Sequence, residues 1–306
     1  MDINPILLLA ALMVASTPIL LAAIGELVTE RAGVLNLGVE GMMIMGAVAG
    51  YIVGHSTGSP LAGFAGAAAA GIGLSLVFAI LTQVLLTNQT ATGLGLTLFG
   101  MGLASLMGQG FEPALPVTVS KIAIPGLSSI PVLGPILFQH DAIVYLSILL
   151  VLAVYLVLGY SRAGLILRAV GENHDAAHAL GYPVRLVRLL AIMFGGACAG
   201  LGGAYISLVR VPQWIDGITA GAGWIALAIV VFASWKPWRL IGGAYLFGGM
   251  TVLQLNIQGD GGKIFGVTVP VEYLSMTPFV ATIVVLVVMS AGRAPGSLGK
   301  SFHASN

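Results

Sequence analysis

Charge is what this 306-residue chain has least of. Only 8% of its residues are Asp, Glu, Lys or Arg, and its formal net charge is +1. Soluble domains average about 25% charged residues, so a water-facing surface of ordinary extent is excluded. A net charge of +1 says nothing about nucleic acid, and no basic or aromatic-rich patch suggests it as a partner, so none is expected. One cysteine, Cys198, rules out an intramolecular disulfide and reads as a small packing residue. Lys and Arg are missing from the start, MDINP, so a cleavable signal peptide is not expected.

Apolar residues make up 58% of the chain and glycine contributes 43 positions. Apolar runs near 20 residues, the length that crosses a hydrocarbon core of about 30 Å, recur at 5–24, 36–53, 61–87, 94–111, 141–159, 190–209, 222–235, 240–256 and 277–291. The expected fold is all-α: one polytopic membrane domain over 1–306 with about eight to ten spanning helices, nine being the reading adopted. A broken or re-entrant helix at 36–53 would change that count. The glycine-rich run GGACAGLGGA (195–204) suits close helix packing, because small residues let backbones approach where lipid supplies no hydrophobic force.

Nine crossings put the ends of the chain on opposite sides. With the N-terminus outside, the inner segments hold Arg31, Arg162, Arg168, Arg185, Arg188, Lys236, Arg239, Arg293 and Lys300, and the outer ones only Lys121, Arg210 and Lys263. That bias selects an N-out, C-in orientation. Residues 112–140 carry Pro113, Pro116, Pro125, Pro131 and Pro135, which opposes a continuous helix and predicts an ordered external loop with a short helix at most. Residues 160–190 form the long cytoplasmic loop.

Within that loop, Asn173 is a good N-cap and Asp175 lies where the helix dipole favours negative charge. Ala176, Ala177, Ala179 and Leu180 favour helix; Gly181 and Pro183 end it. A helix this short is unstable alone. Either it rests on its own loop and the headgroups, or it docks another protein.

The stretch ELVTERAGVLNLGVEG (26–41) concentrates Glu26, Glu30, Arg31 and Glu40 between apolar runs. At about 2.5–3.5 kcal/mol per charge at a helix centre, four such groups cost roughly 10–14 kcal/mol, so the stretch cannot face lipid. One reading is a plain cytoplasmic turn, with Gly33 ending one helix and Asn36 starting the next. The other is an interrupted helix packed inside the protein, with Glu30 and Arg31 paired, lining a translocation route or meeting a partner. The second accounts better for Glu40, four residues into the next apolar run.

Three stretches carry a family resemblance: AVGENHDAAHALGYPVRLVRLLA (169–191), ERAGVLNLGVEGMMIMGA (30–47) and AGAGWIALAIVVFASWKPWRLIGGAYLFGG (220–249). They resemble permease subunits of bacterial ABC importers, in the branch that handles nucleosides, simple sugars and branched-chain amino acids, and the shorter nucleoside-type permeases in particular. His174 departs from that pattern, in which proline is frequent. The resemblance implies a bacterial inner-membrane protein paired with a second, different permease, with ATP-binding ATPase subunits and with an extracytoplasmic binding protein. It implies that Asn173, Asp175, Ala176, Ala177, Leu180 and Gly181 form the coupling helix (173–181), and that nucleosides are the expected cargo. A stand-alone ion-coupled transporter or channel, using Glu26, Glu30 and Glu40 as its ion site, is the alternative.

Other signals are weaker. APGSLGKS (294–301) satisfies a loosened P-loop pattern, but no strand precedes it and no helix follows, so it reads as a cytosolic tail. His174 and His178 are four apart yet lack a third ligand, and read as residues on a solvated face. Neither metal nor cofactor is expected, and no constellation predicts catalysis. For weak contacts with a polar, ring-shaped solute, Gln254 and Asn256 are the first candidates beside Glu30, Arg31, Asn36 and Glu40. Gln83, Gln109, Gln213, Trp214 and Asp216 suit interhelical bonding or interface anchoring.

Overall fold

The computed structural model describes residues 5–111, 119–259, 263–264, 267–288 and 294–303. Its helices, in chain order, are α1 (Pro5–Arg31), α2 (Val39–Thr57), α3 (Pro60–Ala79), α4 (Gln89–Gly108), α5 (Leu133–Leu137), α6 (Ala142–Tyr160), α7 (Arg162–Glu172), α8 (His174–Ala179), α9 (Val184–Tyr205), α10 (Ala222–Phe232), α11 (Pro237–Gly259) and α12 (Val271–Val288). α3 and α9 each continue into a π-helical turn, Ile80–Val84 and Ile206–Arg210. Each apolar run expected from the sequence falls mainly on a helix, residues 289–291 of the last lying outside the described residues. Small polar side chains open several of them: Ser59 bonds the Ala62 amide ahead of α3, Asn88 the Ala91 amide ahead of α4, and Asp141 the Ile143 and Val144 amides ahead of α6.

Six helical segments among the described residues are long and apolar enough to cross a membrane: Pro5–Arg31, Pro60–Val84, Gln89–Gly108, Ala142–Tyr160, Val184–Arg210 and Pro237–Gly259. α10, where the seventh of the nine crossings was expected, has 11 residues. At 1.5 Å per residue it is about 16 Å long, roughly half the hydrocarbon thickness. It is too short to cross the membrane by itself.

α1 is the central helix, buried from Ala15 through Glu30 and packed against α6, α9, α10 and α11. α2, α3 and α9 form a second tight group around the 195–204 run. Here backbones touch. A Cβ on Gly46 would collide with the Gly200 backbone, and one on Gly203 with the Met43 carbonyl. Cys198 is buried beside Gly25 as a packing residue.

The long loop is ordered over its described part, 119–140; residues 112–118, with Pro113 and Pro116, lie outside the described residues. Lys121–Ala123 pairs antiparallel with Gln139–Asp141, Lys121 opposite Asp141, and the short α5 lies between them. Two helices rather than one fill the loop after α6. α7, missed in the sequence, is capped by Ser161 on the Gly164 amide and precedes the expected α8.

Overpacking of a close-packed interior costs about 1–3 kcal/mol or more. Gly203→Leu therefore lowers the apparent melting temperature of the purified protein. Gly73→Leu, at a glycine open to its surroundings, leaves that temperature unchanged.

Candidate functional site

The charged stretch is neither a simple turn nor a lined channel. α1 ends at Arg31, and Gly33, with φ of 85°, turns the chain away. α2 begins at Val39, so residues 32–38 are a helix break, and it is buried: Ala32, Val34 and Asn36 are fully enclosed. Enclosed backbone groups outside a helix need partners, and polar side chains supply them. Glu26 accepts from the Asn36 amide at 3.2 Å, and Gln89 accepts from the Leu35 amide at 2.8 Å. Thr97 donates to the Leu37 carbonyl at 3.0 Å and Arg188 to the Ala32 carbonyl at 3.3 Å. Asn36 itself accepts from the Gly38 amide at 2.9 Å. It shapes the turn, and its side chain is not free to meet a solute.

The remaining charges hold the half-length α10 at both ends. Its first turn presents unpaired amides, and Glu40 receives them: Gly221 N donates to Oε1 at 3.0 Å and Gly223 N to Oε2 at 2.6 Å, while the Thr219 hydroxyl donates to Oε1 at 2.5 Å. Gly223 must be glycine, because a Cβ there would lie 2.6 Å from the Glu40 backbone. At the other end, Ser234 and Trp235 adopt φ of 51° and 54°, conformations that cost non-glycine residues on the order of 1–3 kcal/mol. They are held in place. Arg31 donates through Nε and Nη2 to the Trp235 carbonyl at 3.0 and 2.8 Å, and the Trp235 indole N–H donates to Glu30. The expected Glu30–Arg31 pair is thus corrected: neighbouring helix positions do not face each other, and both side chains meet Trp235 instead.

α8 forms where expected. Asn173 accepts from the Ala176 amide at 2.9 Å, and Gly181, with φ of 85°, ends it. Its two faces differ. Asp175, Ala176, Ala179 and Leu180 face outward, Leu180 being 77% exposed. Ala177, expected on the coupling helix, faces inward into a cluster with Val170, Val184 and Phe302. His174 is buried too, not solvated: its Nδ1 lies 3.1 Å from Arg188 Nη2 and its Nε2 3.5 Å from Asp175 Oδ1. Burial, then the Arg188 guanidinium, hold the His174 imidazole below its ordinary value, with Asp175 opposing. The neutral ring is the form whose Nδ1 can accept from Arg188.

Arg188 ties these parts together. It is wholly buried and, besides the Ala32 carbonyl and His174, donates to the Lys300 carbonyl at 3.0 Å and reaches Gln83 Oε1 at 3.5 Å. From the sequence it counted only as one more inner-side charge. The spacing Arg188–Ala191–Gly195–Ala199, every member buried, was the available sign that it points inward. Gln254 and Asn256 are not brought to this assembly. Gln254 is half-buried on α11; Asn256 is exposed, donates to its own helix at the Val252 carbonyl, and borders a cavity of about 350 Å³ shared with Arg210 and α1.

Glu40→Gln replaces an acceptor oxygen with an amide that must face a buried N–H. At about 1–3 kcal/mol for an unmatched buried group, this lowers the apparent melting temperature, and Glu40→Leu lowers it further. Unchanged melting in both would show that α10 does not depend on this carboxylate.

Comparison with known proteins places the chain in a family. Residues 8–289 match the family described as branched-chain amino acid transport system / permease component. The chain is 40% identical to TsgC13 of Haloferax volcanii, provisionally assigned as a glucose ABC transporter permease, over 91% of this chain and 90% of that one. It is 32% identical to the guanosine ABC transporter permease NupQ of Bacillus subtilis, covering 94% and 93%. To the nucleoside ABC transporter permease NupC of Lactococcus lactis it is 31% identical, covering 92% and 91%. The chain belongs to this permease family, as a multi-pass permease subunit of an ABC transporter.

Proposed function

We propose that this permease imports nucleosides through the bacterial inner membrane, in a complex with a second, related permease, ATPase subunits and an extracytoplasmic binding protein. The outward face of α8 carries the reading. Asp175, Ala176, Ala179 and Leu180 stand free of the rest of the chain on a helix too short to be stable alone, seated on its other side by Ala177 and His174. An apolar, exposed Leu180 on a rigid seat suits insertion into a groove on an ATPase. ATP hydrolysis belongs to that partner. The α7–α8 side is then cytoplasmic, and the described part of 112–140, with 210–221, faces the binding protein.

Nucleoside cargo is supported by the similarity to NupQ and NupC along nearly the whole chain. A simple sugar is the second reading, favoured by the 40% identity to TsgC13. The ion-coupled alternative is weakened, because Glu30 and Glu40, two of the three carboxylates it would use, hold α10, which leaves it Glu26.

Three measurements test this. Gentle extraction followed by mass spectrometry should recover an ATPase and a second permease with the wild-type chain, and Leu180→Asp should lose the ATPase while the protein still inserts. A chain that purifies alone and moves solute without ATP would end the proposal. Glu40→Gln should impair uptake with insertion intact. In vesicles holding the complex, ATP-dependent uptake of guanosine should exceed that of glucose; the reverse order would assign the cargo to sugars.

A further inference from the structure

Residues 294–303 form neither helix nor strand, yet they are built into the protein. Pro295, Ser297 and Phe302 are buried. Ser297 N donates to the Gly171 carbonyl at 2.8 Å, and Ser297 Oγ accepts from the His174 amide at 3.1 Å. The Phe302 ring packs edge-on against both His174 and His178, with centroids 5.4 and 5.2 Å away, and completes the cluster around Ala177. On its other side the segment reaches the helix break: Leu298 packs on the main core, and the Lys300 carbonyl accepts from Arg188 and faces Gln89 Nε2 at 3.5 Å. Arg188 and Gln89 are the same two side chains that satisfy the break at Ala32 and Leu35. Gly171 meets the break directly, since a Cβ there would collide with the Arg31 carbonyl.

We propose that residues 295–302 are a wedge that joins α8 and the α1–α2 break into one rigid unit, so that displacement of α8 is delivered to the break and, through Glu30, Arg31 and Glu40, to α10. Ser297 and Phe302 are positioning residues for ATP-driven transport. This rests on α8 being the ATPase contact. The physical reason is the size of α8. Six helical residues have no intrinsic stability, and Phe302 is the largest buried side chain in the cluster that seats them. Without it the outward face of α8 remains, but the helix yields when pushed. With it, the push passes through Ser297, Lys300 and Arg188 into backbone carbonyls of α7 and the break.

The test uses the complete complex, gently purified and reconstituted in proteoliposomes with its binding protein and guanosine. Phe302→Ala, Ser297→Ala and Phe302→Leu are compared with wild type for ATPase retention and for guanosine moved per ATP hydrolysed. Coupling between sites typically spans about 5–150-fold. We expect Phe302→Ala to keep its ATPase and continue to hydrolyse ATP while guanosine per ATP falls at least about fivefold. Phe302→Leu, which keeps an apolar side chain in the seat, recovers most of the ratio. Ser297→Ala, which removes one hydrogen bond and almost no volume, gives a smaller fall and keeps the idea testable should Phe302→Ala fail to fold. A wild-type ratio in Ser297→Ala and in Phe302→Ala overturns the wedge. Loss of the ATPase from Phe302→Ala also overturns it, because the segment would then serve docking rather than transmission. Retention of the ATPase by Leu180→Asp instead sinks the assignment of α8, whatever the Phe302 variants do.

Discussion

A carboxylate placed on the open end of a half-length helix governs this architecture. α10 begins with Ala222 and Gly223 buried, and an unsatisfied buried amide costs about 1–3 kcal/mol. Glu40 accepts from two of those amides and from Thr219 at once, and the dipole of α10 favours its negative charge. The carboxylate can be buried because the helix end needs it, and the helix can end there because the carboxylate is present. Glu40 stands at the start of α2, so the two short structures fix each other. At the opposite end the same logic joins the last turn of α1 to the turn after α10, through Glu30, Arg31 and Trp235.

These contacts explain why a chain so poor in charge concentrates it in one place. Breaking a helix inside a membrane protein exposes backbone groups that lipid cannot satisfy. The stretch from Glu26 to Glu40 supplies part of what its own break and the adjoining half-helix need, and Gln89, Thr97 and Arg188 supply the rest. The α7–α8 elbow then rests on that break, with Gly171 against Arg31 and His174 against Arg188. A surface suited to an ATPase is thus separated from the interior break by only one layer of side chains.

Much of this was legible in the sequence, and what was not has identifiable reasons. Apolar runs located every long helix, because burying or spanning them demands length and hydrophobicity. Asn173 and Gly181 marked α8, since capping chemistry is local. Which way Ala177 faces was not legible, because a six-residue helix of small residues carries no amphipathic pattern strong enough to orient it. α10 was read as a span because an apolar run states composition but not where the helix stops, and Ala233–Lys236 turns only by adopting left-handed conformations. The partners of Arg188 and Phe302 were unreadable for another reason: Ala32 lies 156 residues before Arg188 and Ala177 lies 125 before Phe302. Contacts of that range leave no spacing rule.

The glycine contacts among α2, α3 and α9 have a mechanical meaning. Where side chains separate two helices, a small slide can be absorbed by rotamer changes. Where Gly46 meets Gly200 and Gly71 meets Gly196, backbone lies on backbone, and a slide would drive carbonyl oxygens into the neighbouring chain. Those three helices therefore move together or not at all. α1 belongs to the same block, since a Cβ on Gly202 of α9 would collide with the Pro18 carbonyl and Thr29 donates to the Ala191 carbonyl.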